Sequence, residues 1–257
     1  MEWWKEFFDA DYIHLWGEVF PPERVAAEAD GLWQLLGLHE GSRVLDTPCG
    51  YGRLSRPLAE RGAIVLGIDQ SEALLAHAES ERRDIPADRL RYLRHDLREP
   101  IPEDGFDAAL NVFSSLGYGS EDEDLAILGN LRSAVRPGGR VVVETAHRDL
   151  AVANFLRGGG VGRVKPARRL DDGTLVIEEP VFDPITGRVN TCWYWCGPNG
   201  SGKKPGSLRL YAATELVALM QRAGLRFLSA HSGCSPEPFK AEGPDMGGRL
   251  AILAERG

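Results

Sequence analysis

Along the first half of the chain, short apolar runs alternate with segments whose apolar residues recur every three or four positions. The runs Arg43–Thr47, Ile64–Asp69, Leu90–His95, Phe106–Val112 and Gly139–Thr145 read as strands. Between them Arg53–Arg61, Glu72–Arg83 and Glu121–Val135 read as helices. In the last, Leu125, Leu128, Leu131 and Val135 fall at helical spacing, and Arg136-Pro137-Gly138-Gly139 stops it. Upstream, Pro21-Pro22 opens another helical pattern with Val25, Ala29, Leu32, Trp33 and Leu36 on one face, ended by Gly37 and Gly41. Pro57 falls in the first turns of the Arg53–Arg61 segment, so that helix starts late or bends. Strict alternation of strand and helix predicts a parallel sheet covered on both faces.

The rhythm changes after Thr145. Gly158-Gly159-Gly160 breaks the chain, and Leu175–Phe182 and Arg188–Cys196 read as antiparallel strands joined by the turn Asp183-Pro184-Ile185-Thr186-Gly187. A Gly/Ser/Lys stretch, expected as a flexible loop, leads to a further strand at Ser207–Tyr211. Helical periodicity returns at Thr214–Ala223, with Thr214 as N-cap, and strands Arg226–His231 and Arg249–Ala254 complete the pattern. The expected fold class is α/β and Rossmann-like. It has a mostly parallel seven-stranded sheet with helices on both faces, plus a small antiparallel β insert before the last helix. The corresponding division is an N-terminal aromatic segment at 1–21, a core at 22–150 and 212–257, and the insert at 151–211 on the substrate side.

Charge narrows the partners. The 257 residues carry a formal net charge of −8, with 30 Lys and Arg against 38 Asp and Glu. Nucleic-acid binders draw most of their affinity from cationic contacts to phosphate, so this balance points to a small uncharged or cationic substrate. No apolar run approaches the roughly 20 residues that span a bilayer. Met1-Glu2-Trp3-Trp4-Lys5-Glu6 is unlike a signal peptide, so the expectation is a cytoplasmic protein without a membrane partner. Cys49, Cys192, Cys196 and Cys234 form no disulfide framework in a chain this long. An exposed edge in the insert offers a place for two copies to pair, making a homodimer the expected assembly if there is one.

The strongest chemical signal is Val44-Leu45-Asp46-Thr47-Pro48-Cys49-Gly50-Tyr51-Gly52-Arg53, a strand running into a Gly-x-Gly turn that opens a helix. Small residues there let a nucleotide-like ligand approach the backbone, and free N–H groups favour its anionic parts. Asp69, in Gly67-Ile68-Asp69-Gln70, ends the next strand 19 residues after Gly50, where a carboxylate accepts ribose hydroxyls. Dinucleotide folds complete the pattern with a third glycine, but that position is Ser55 here. Asp46 just before the turn would repel a pyrophosphate and suits a ligand bearing an ammonium group. This contrast favours S-adenosylmethionine over NAD.

Those motifs continue with His95-Asp96-Leu97, with Phe106-Asp107-Ala108-Ala109-Leu110-Asn111-Val112-Phe113-Ser114-Ser115-Leu116-Gly117-Tyr118 and with Leu131 through Gly139. The ordered set resembles class I S-adenosylmethionine-dependent methyltransferases. More narrowly, it is similar to bacterial small-molecule members with a β insert, including the sugar N,N-dimethyltransferases. The resemblance covers about Arg24 to Thr145 and resumes from Leu210-Tyr211 to Gly224. It implies that Asp46, Gly50 and Gly52, with Pro48 beside them, line the methionine end. Asp69 would then hold the ribose, with Gln70 beside the adenine. Asp96 would accept from the adenine amino group with Leu97 nearby, and Asn111, Val112 and Phe113 would floor the pocket. The product would be S-adenosylhomocysteine.

Methyl transfer from a sulfonium asks mainly for alignment in a dry pocket, and an amine acceptor has only to be neutral. A hydroxyl or carbon acid usually needs a base, for which His147 and Tyr118 are the candidates and His231 a weaker one. The segment from Trp3 to Trp16 is either a helix packed by its rings or a lid over the cofactor, with Tyr12 and Trp16 as the lid residues. Ser114, Arg209 and Tyr211 are the candidates for a substrate wall. Gly197-Pro198-Asn199-Gly200-Ser201-Gly202-Lys203 fits a phosphate-loop pattern but lacks the following Ser or Thr and helix. Cys192-Trp193-Tyr194-Trp195-Cys196 lacks the turn spacing of a zinc pair, so no metal is expected. An NAD-dependent oxidoreductase on a similar sheet and a non-catalytic binding protein are the alternatives.

Overall fold

Two short helices, α1 (Trp4–Phe7) and α2 (Ala10–Trp16), open the chain in the computed structural model, which describes residues 2–157, 167–239 and 249–257. The break expected at Gly158-Gly159-Gly160 lies outside the described residues. The core follows as α3 (Pro22–Leu36), β1 (Arg43–Asp46), α4 (Ser55–Glu60), β2 (Ile64–Asp69), α5 (Glu72–Ser80), β3 (Leu90–Arg94), β4 (Phe106–Asn111), α6 (Glu121–Ala134) and β5 (Val135–Ala146). Next come α7 (Arg148–Arg157) and the insert strands β6 (Arg168–Arg169), β7 (Leu175–Asp183), β8 (Arg188–Gly197) and β9 (Gly200–Arg209). The chain closes with α8 (Ala213–Arg222), β10 (Leu225–Ser232) and β11 (Arg249–Arg256).

Seven strands form one sheet in the order β10-β11-β5-β4-β1-β2-β3. The five strands from β3 to β5 are parallel, and β11 runs antiparallel between β5 and β10. The central strands are apolar on both faces because helices cover both. On one side Leu45, Leu66, Ile68, Val141 and Val143 pack against α6 and α8; on the other Val44, Val65, Leu110 and Val142 pack against α3 and α4. Each such side chain contributes about 1.5–3 kcal/mol by leaving water.

The insert is a separate antiparallel sheet in the order β6-β7-β8-β9. Its inner face meets α1 and α2 in a third cluster, where Phe7, Tyr12, Leu15, Trp16, Leu170 and Val176 are buried and Trp3, Phe8, Trp193 and Trp195 pack around them.

Several local expectations shift. The expected loop before Ser207 is strand: β9 pairs with β8 from Gly200 to Arg209, and only a tight turn at Gly197–Gly200 separates them. The reason is Lys204, whose buried ammonium donates to the carbonyls of Glu6 (3.3 Å) and Phe7 (3.2 Å) and to Asp9 Oδ2 (2.5 Å). That tertiary partner draws a polar, glycine-rich stretch into register. Helix α4 starts late, at Ser55, which places Pro57 in the first turn where its missing N–H has no intrahelical partner to lose. The expected stop Arg136-Pro137-Gly138-Gly139 lies within β5, which starts directly after α6. Thr214 is not a cap: Ala212 stands at that position, and the Glu215 carboxylate accepts its N–H (2.9 Å).

Glycines at two helical positions predict opposite outcomes for one substitution. In α3, a Cβ on Gly31 would lie 1.7 Å from the Cys234 carbonyl oxygen; in α6, a Cβ on Gly129 meets nothing within 4 Å. Alanine is the better helix former by about 1 kcal/mol. Urea unfolding should therefore find Gly129→Ala stabilised by about 0.5–1 kcal/mol, and Gly31→Ala destabilised by about 1–3 kcal/mol through overpacking. Equal effects would show that the packing around Gly31 is wrong.

Candidate active site

The chain leaves β1 and β4, neighbours in the sheet, toward opposite sides, and open α/β sheets bind ligands in the crevice where this happens. At the tip of β1, Asp46 is 2% exposed and accepts from the Ser55 hydroxyl at 2.5 Å. Burial pushes its carboxyl up to about 7, with the nearby Asp69 charge adding to the effect and the Ser55 bond and Arg53 opposing it. Ser55 occupies the third-glycine position of a dinucleotide fold and spends its hydroxyl on Asp46. At the tip of β2, Asp69 Oδ2 accepts the Gly50 N–H (2.9 Å) and Oδ1 accepts the Ser71 N–H (2.8 Å). Burial raises this carboxyl as well, against those backbone bonds. Gly50 has φ +56°, and a Cβ there would meet no protein atom within 4 Å, so it leaves open space beside the two carboxylates.

That space is part of a cavity of about 1080 Å³, open at its mouth and of the size of small-molecule sites. Tyr12, Asp46, Pro48, Gly50, Asp69 and Gln70 line it. So do Asp96, Leu97, Val112, Phe113 and Tyr118. A second cavity, about 1050 Å³ with its open mouth, lies between the N-terminal helices and the insert; Trp16 and Ser114 face it. Phe8, Tyr12, Phe113 and Tyr118 border both cavities and form the partition between them.

The partition rests on an unusual turn. Phe113 (φ +72°) and Ser114 (φ +62°) are consecutive left-handed non-glycine residues, a conformation that persists only where surrounding contacts hold it. Glu144 Oε2 accepts the Phe113 N–H (2.7 Å), and the Glu144 carbonyl accepts the Ser114 N–H (3.1 Å). Arg249 pairs with the buried Glu144, donates to Ser114 Oγ (3.2 Å) and lies over the Phe113 ring at 4.6 Å.

Six candidates from the sequence are committed elsewhere. Gly52 faces away from the cavity: a Cβ there would sit 2.3 Å from Tyr92 Oη, so this glycine serves packing. Asn111 is fully buried, donating to the Thr47 carbonyl (2.8 Å) and accepting from Ser115 (2.7 Å), which ties the β1 and β4 tips together. His147 lines neither cavity; its Nδ1 accepts the Asp149 N–H (3.1 Å) at the start of α7, its ring stacks on Phe239, and burial lowers its pKa. It caps a helix. Tyr211 is 1% exposed and donates to Asp124 Oδ2 (2.6 Å), while Arg209 pairs with Glu121 (2.7 Å) and covers the Tyr211 ring. Together they fasten the insert to α6. His231 is likewise engaged, with Ser229 Oγ at 2.7 Å.

Other lining residues were not picked out individually in the sequence. Trp4 and Phe8 belong to the aromatic segment but were not singled out in it, and Phe20 and Arg98 lie outside every motif, yet all four line the first cavity. Their roles arise because Ser71 Oγ donates to the Phe8 carbonyl (2.5 Å) and Lys204 grips residues 6–9, pinning the N-terminal segment over the cavity.

Residues 44–139 match the methyltransferase domain family. Glycine N-methyltransferase of Mus musculus is 30% identical over 161 residues, covering 56% of this chain and 54% of that protein. The chain spans about half the length of the curated relatives it matches. The CcbJ methyltransferase of Streptomyces caelestis shares the fold with a TM-score of 0.80 at 20% identity over 96% of each chain. CalS10 of Micromonospora echinaspora, an amino pentose methyltransferase with S-adenosylmethionine bound, follows with a TM-score of 0.66 at 21% identity over 91% of each chain. The fold is that of class I S-adenosylmethionine-dependent methyltransferases. The oxidoreductase alternative finds no support in these likenesses.

Asp46 generates a pH prediction. Its folded-state pKa of about 7 stands above the ordinary 3.8, so folding retains a proton that the unfolded chain releases. Stability of the ligand-free protein contributed by this group is full below pH ~4 and is lost as pH rises to about 7, about 4 kcal/mol at most. Asp46→Asn should therefore match the parent in Tm below about pH 4, exceed it increasingly up to about pH 7, and hold a constant lead above that. A Tm difference that does not widen with pH would refute the burial of an ionisable carboxyl here.

Proposed function

We propose that this protein is an S-adenosylmethionine-dependent methyltransferase that methylates a neutral amine nitrogen on a small molecule with an apolar body. The observation that carries the reading is the pair of cavities meeting at a four-residue aromatic partition, with three strand-tip carboxylates on one side only. On that side Asp46, Asp69 and Asp96 offer acceptors spaced along a crevice that Val112, Leu74 and Ile127 keep apolar. Asp46 suits an ammonium, which would draw its raised pKa back down on binding. Asp69, held by two backbone N–H groups, keeps lone pairs for a pair of vicinal hydroxyls. When bound there, the cofactor supplies an already activated methyl group.

The protein's remaining task is alignment and exclusion of water. Phe8, Tyr12, Phe113 and Tyr118 surround the line of transfer, and none carries a side chain that is basic at neutral pH. Burial raises the Tyr12 and Tyr118 hydroxyls, which stay protonated. A nucleophile that needs no deprotonation fits this environment, and a neutral amine is one. The second cavity is walled by Trp3, Phe7, Trp16 and Trp193, which suits an apolar body, and aromatic faces favour a cationic product. The net charge of −8 supports a small molecule over nucleic acid as acceptor. Among the described residues no helix is long and apolar enough to cross a membrane.

Calorimetric titration with S-adenosylmethionine, S-adenosylhomocysteine and NAD tests the cofactor, with Asp69→Ala expected to weaken adenosyl binding about 10- to 100-fold. Binding of NAD alone, or an Asp69→Ala variant that behaves like the parent, would end the proposal. A transfer assay with amines, phenols and sugar nucleotides should find turnover on amines, with His147→Ala retaining at least half the rate. Turnover confined to phenols, or abolished by His147→Ala in a folded variant, would rule out the amine mechanism.

A further inference from the structure

Arg98, in the turn after β3, sits where four parts of the molecule meet. Its Nε donates to Asp96 Oδ1 (3.0 Å) and its Nη2 to Asp96 Oδ2 (2.6 Å), while its own backbone N–H also donates to Oδ1 (3.0 Å). Nη2 reaches Glu2 Oε1 at 2.5 Å, and Nη1 donates to Glu123 Oε1 (2.8 Å) in the first turn of α6. The guanidinium lies 5.7 Å from the Trp4 ring centre, and Trp4 in turn stacks on Tyr118 of the partition. Arg98, Asp96, Glu123 and Trp4 all line the first cavity. One cation is thus shared by three carboxylates, and the Arg98 bonds hold the Asp96 carboxyl below its ordinary range.

Both Asp96 oxygens already accept from Arg98. A carboxylate oxygen offers about two lone-pair directions, and Oδ1 takes the Arg98 backbone N–H and Nε while Oδ2 takes Nη2 and a longer contact from Nε (3.2 Å). A ligand amino group that donates to Asp96 must displace part of this fork. The displaced guanidinium keeps the two other carboxylates it already meets, one on the N-terminal segment and one on α6.

We propose that Arg98 is a positioning residue that couples ligand binding at Asp96 to tightening of residues 2–16 over both cavities, by loosening its fork on Asp96 and strengthening the bonds it already makes to Glu2 and Glu123. The inference rests on the reading that the first cavity holds an adenosyl group whose exocyclic amine reaches Asp96. It assigns this chain a device in which the purine amine both binds and tightens the aromatic partition. A purine carrying a carbonyl in place of that amine would bind without tightening it.

The test uses S-adenosylhomocysteine and its inosyl counterpart, in which a carbonyl replaces the amino group, with wild type, Arg98→Lys, Glu2→Gln and the double variant. Calorimetry reads affinity, and hydrogen exchange of the amides of residues 3–16 reads tightening. In wild type the adenosyl compound should slow exchange in this segment at least threefold, and the inosyl compound should leave it unchanged. Arg98→Lys and Glu2→Gln should each bind the adenosyl compound with affinity reduced about 3- to 10-fold and without the slowing, and the double variant should be no worse than Arg98→Lys alone. Should Arg98→Lys not fold, Glu2→Gln, at a half-buried position in the N-terminal segment, carries the same test. Equal slowing in wild type and Glu2→Gln, additive losses in the double variant, or slowing by the inosyl compound would overturn the coupling while leaving the methyltransferase reading intact. Failure of wild type to bind the adenosyl compound at all would overturn both.

Discussion

The Asp69 carboxylate accepts the Gly50 N–H across the gap between the tips of β2 and β1, and most of the first cavity is organised around that bond. Without it the Thr47–Gly50 bend would keep only the Cys49 N–H bond to the Ile68 carbonyl (2.8 Å) on the β2 side, and the second Asp69 oxygen, which accepts the Ser71 N–H at the start of α5, would lose its fixed direction. A buried carboxylate is costly unless hydrogen-bonded. Here the cost is offset by backbone donors, so the charge and the turn hold each other in place. Asp46 lies deeper, and its burial outweighs the hydrogen bonding from Ser55, which is why its carboxyl sits near 7.

The N-terminal segment depends on a different balance. Its helices are too short to be stable alone, and they persist because polar groups from two directions satisfy their ends. Lys204 on the insert takes the carbonyls of Glu6 and Phe7, Ser71 takes that of Phe8, and Asp9 caps α2 by accepting the Tyr12 N–H. The aromatic rings then fill the space between core and insert, with Trp3, Phe7, Trp16 and Trp193 meeting at ring-centre distances of 5.1 to 5.7 Å. A lid and a packed helix are therefore not opposed descriptions of this segment. The same rings that bury apolar surface also divide one cavity from the other.

Much of the core was legible because its signals are local. The apolar runs at Val44–Asp46, Ile64–Asp69 and Phe106–Asn111 are strands, and the carboxylates at 46, 69 and 96 line one cavity with Gly50, as their positions at strand ends led one to expect. Side chains whose direction depends on non-local partners were not legible. His147 and Tyr211 look chemical in sequence, yet one caps a helix and the other is fully spent on Asp124. Gly52 shares a motif with Gly50 but is a glycine for its φ of +77° and for the close approach of Tyr92.

By itself, the sequence determined the alternation of strand and helix, the bend after β1 and the spacing of the acidic strand tips, since periodicity and turn chemistry act within a few residues. Only the tertiary structure decided that a glycine-rich stretch becomes β9 and that Phe113 and Ser114 form a left-handed turn. It alone also brought Glu2, Asp96 and Glu123 to one arginine. These outcomes hinge on Lys204, on the Glu144–Arg249 pair and on the bonds of Arg98 to Glu2 and Glu123, with partners about 195, 31 and 105, and 25 or more residues away along the chain. Charge and hydrogen bonding at such separations are set by packing, and packing is absent from any window of sequence.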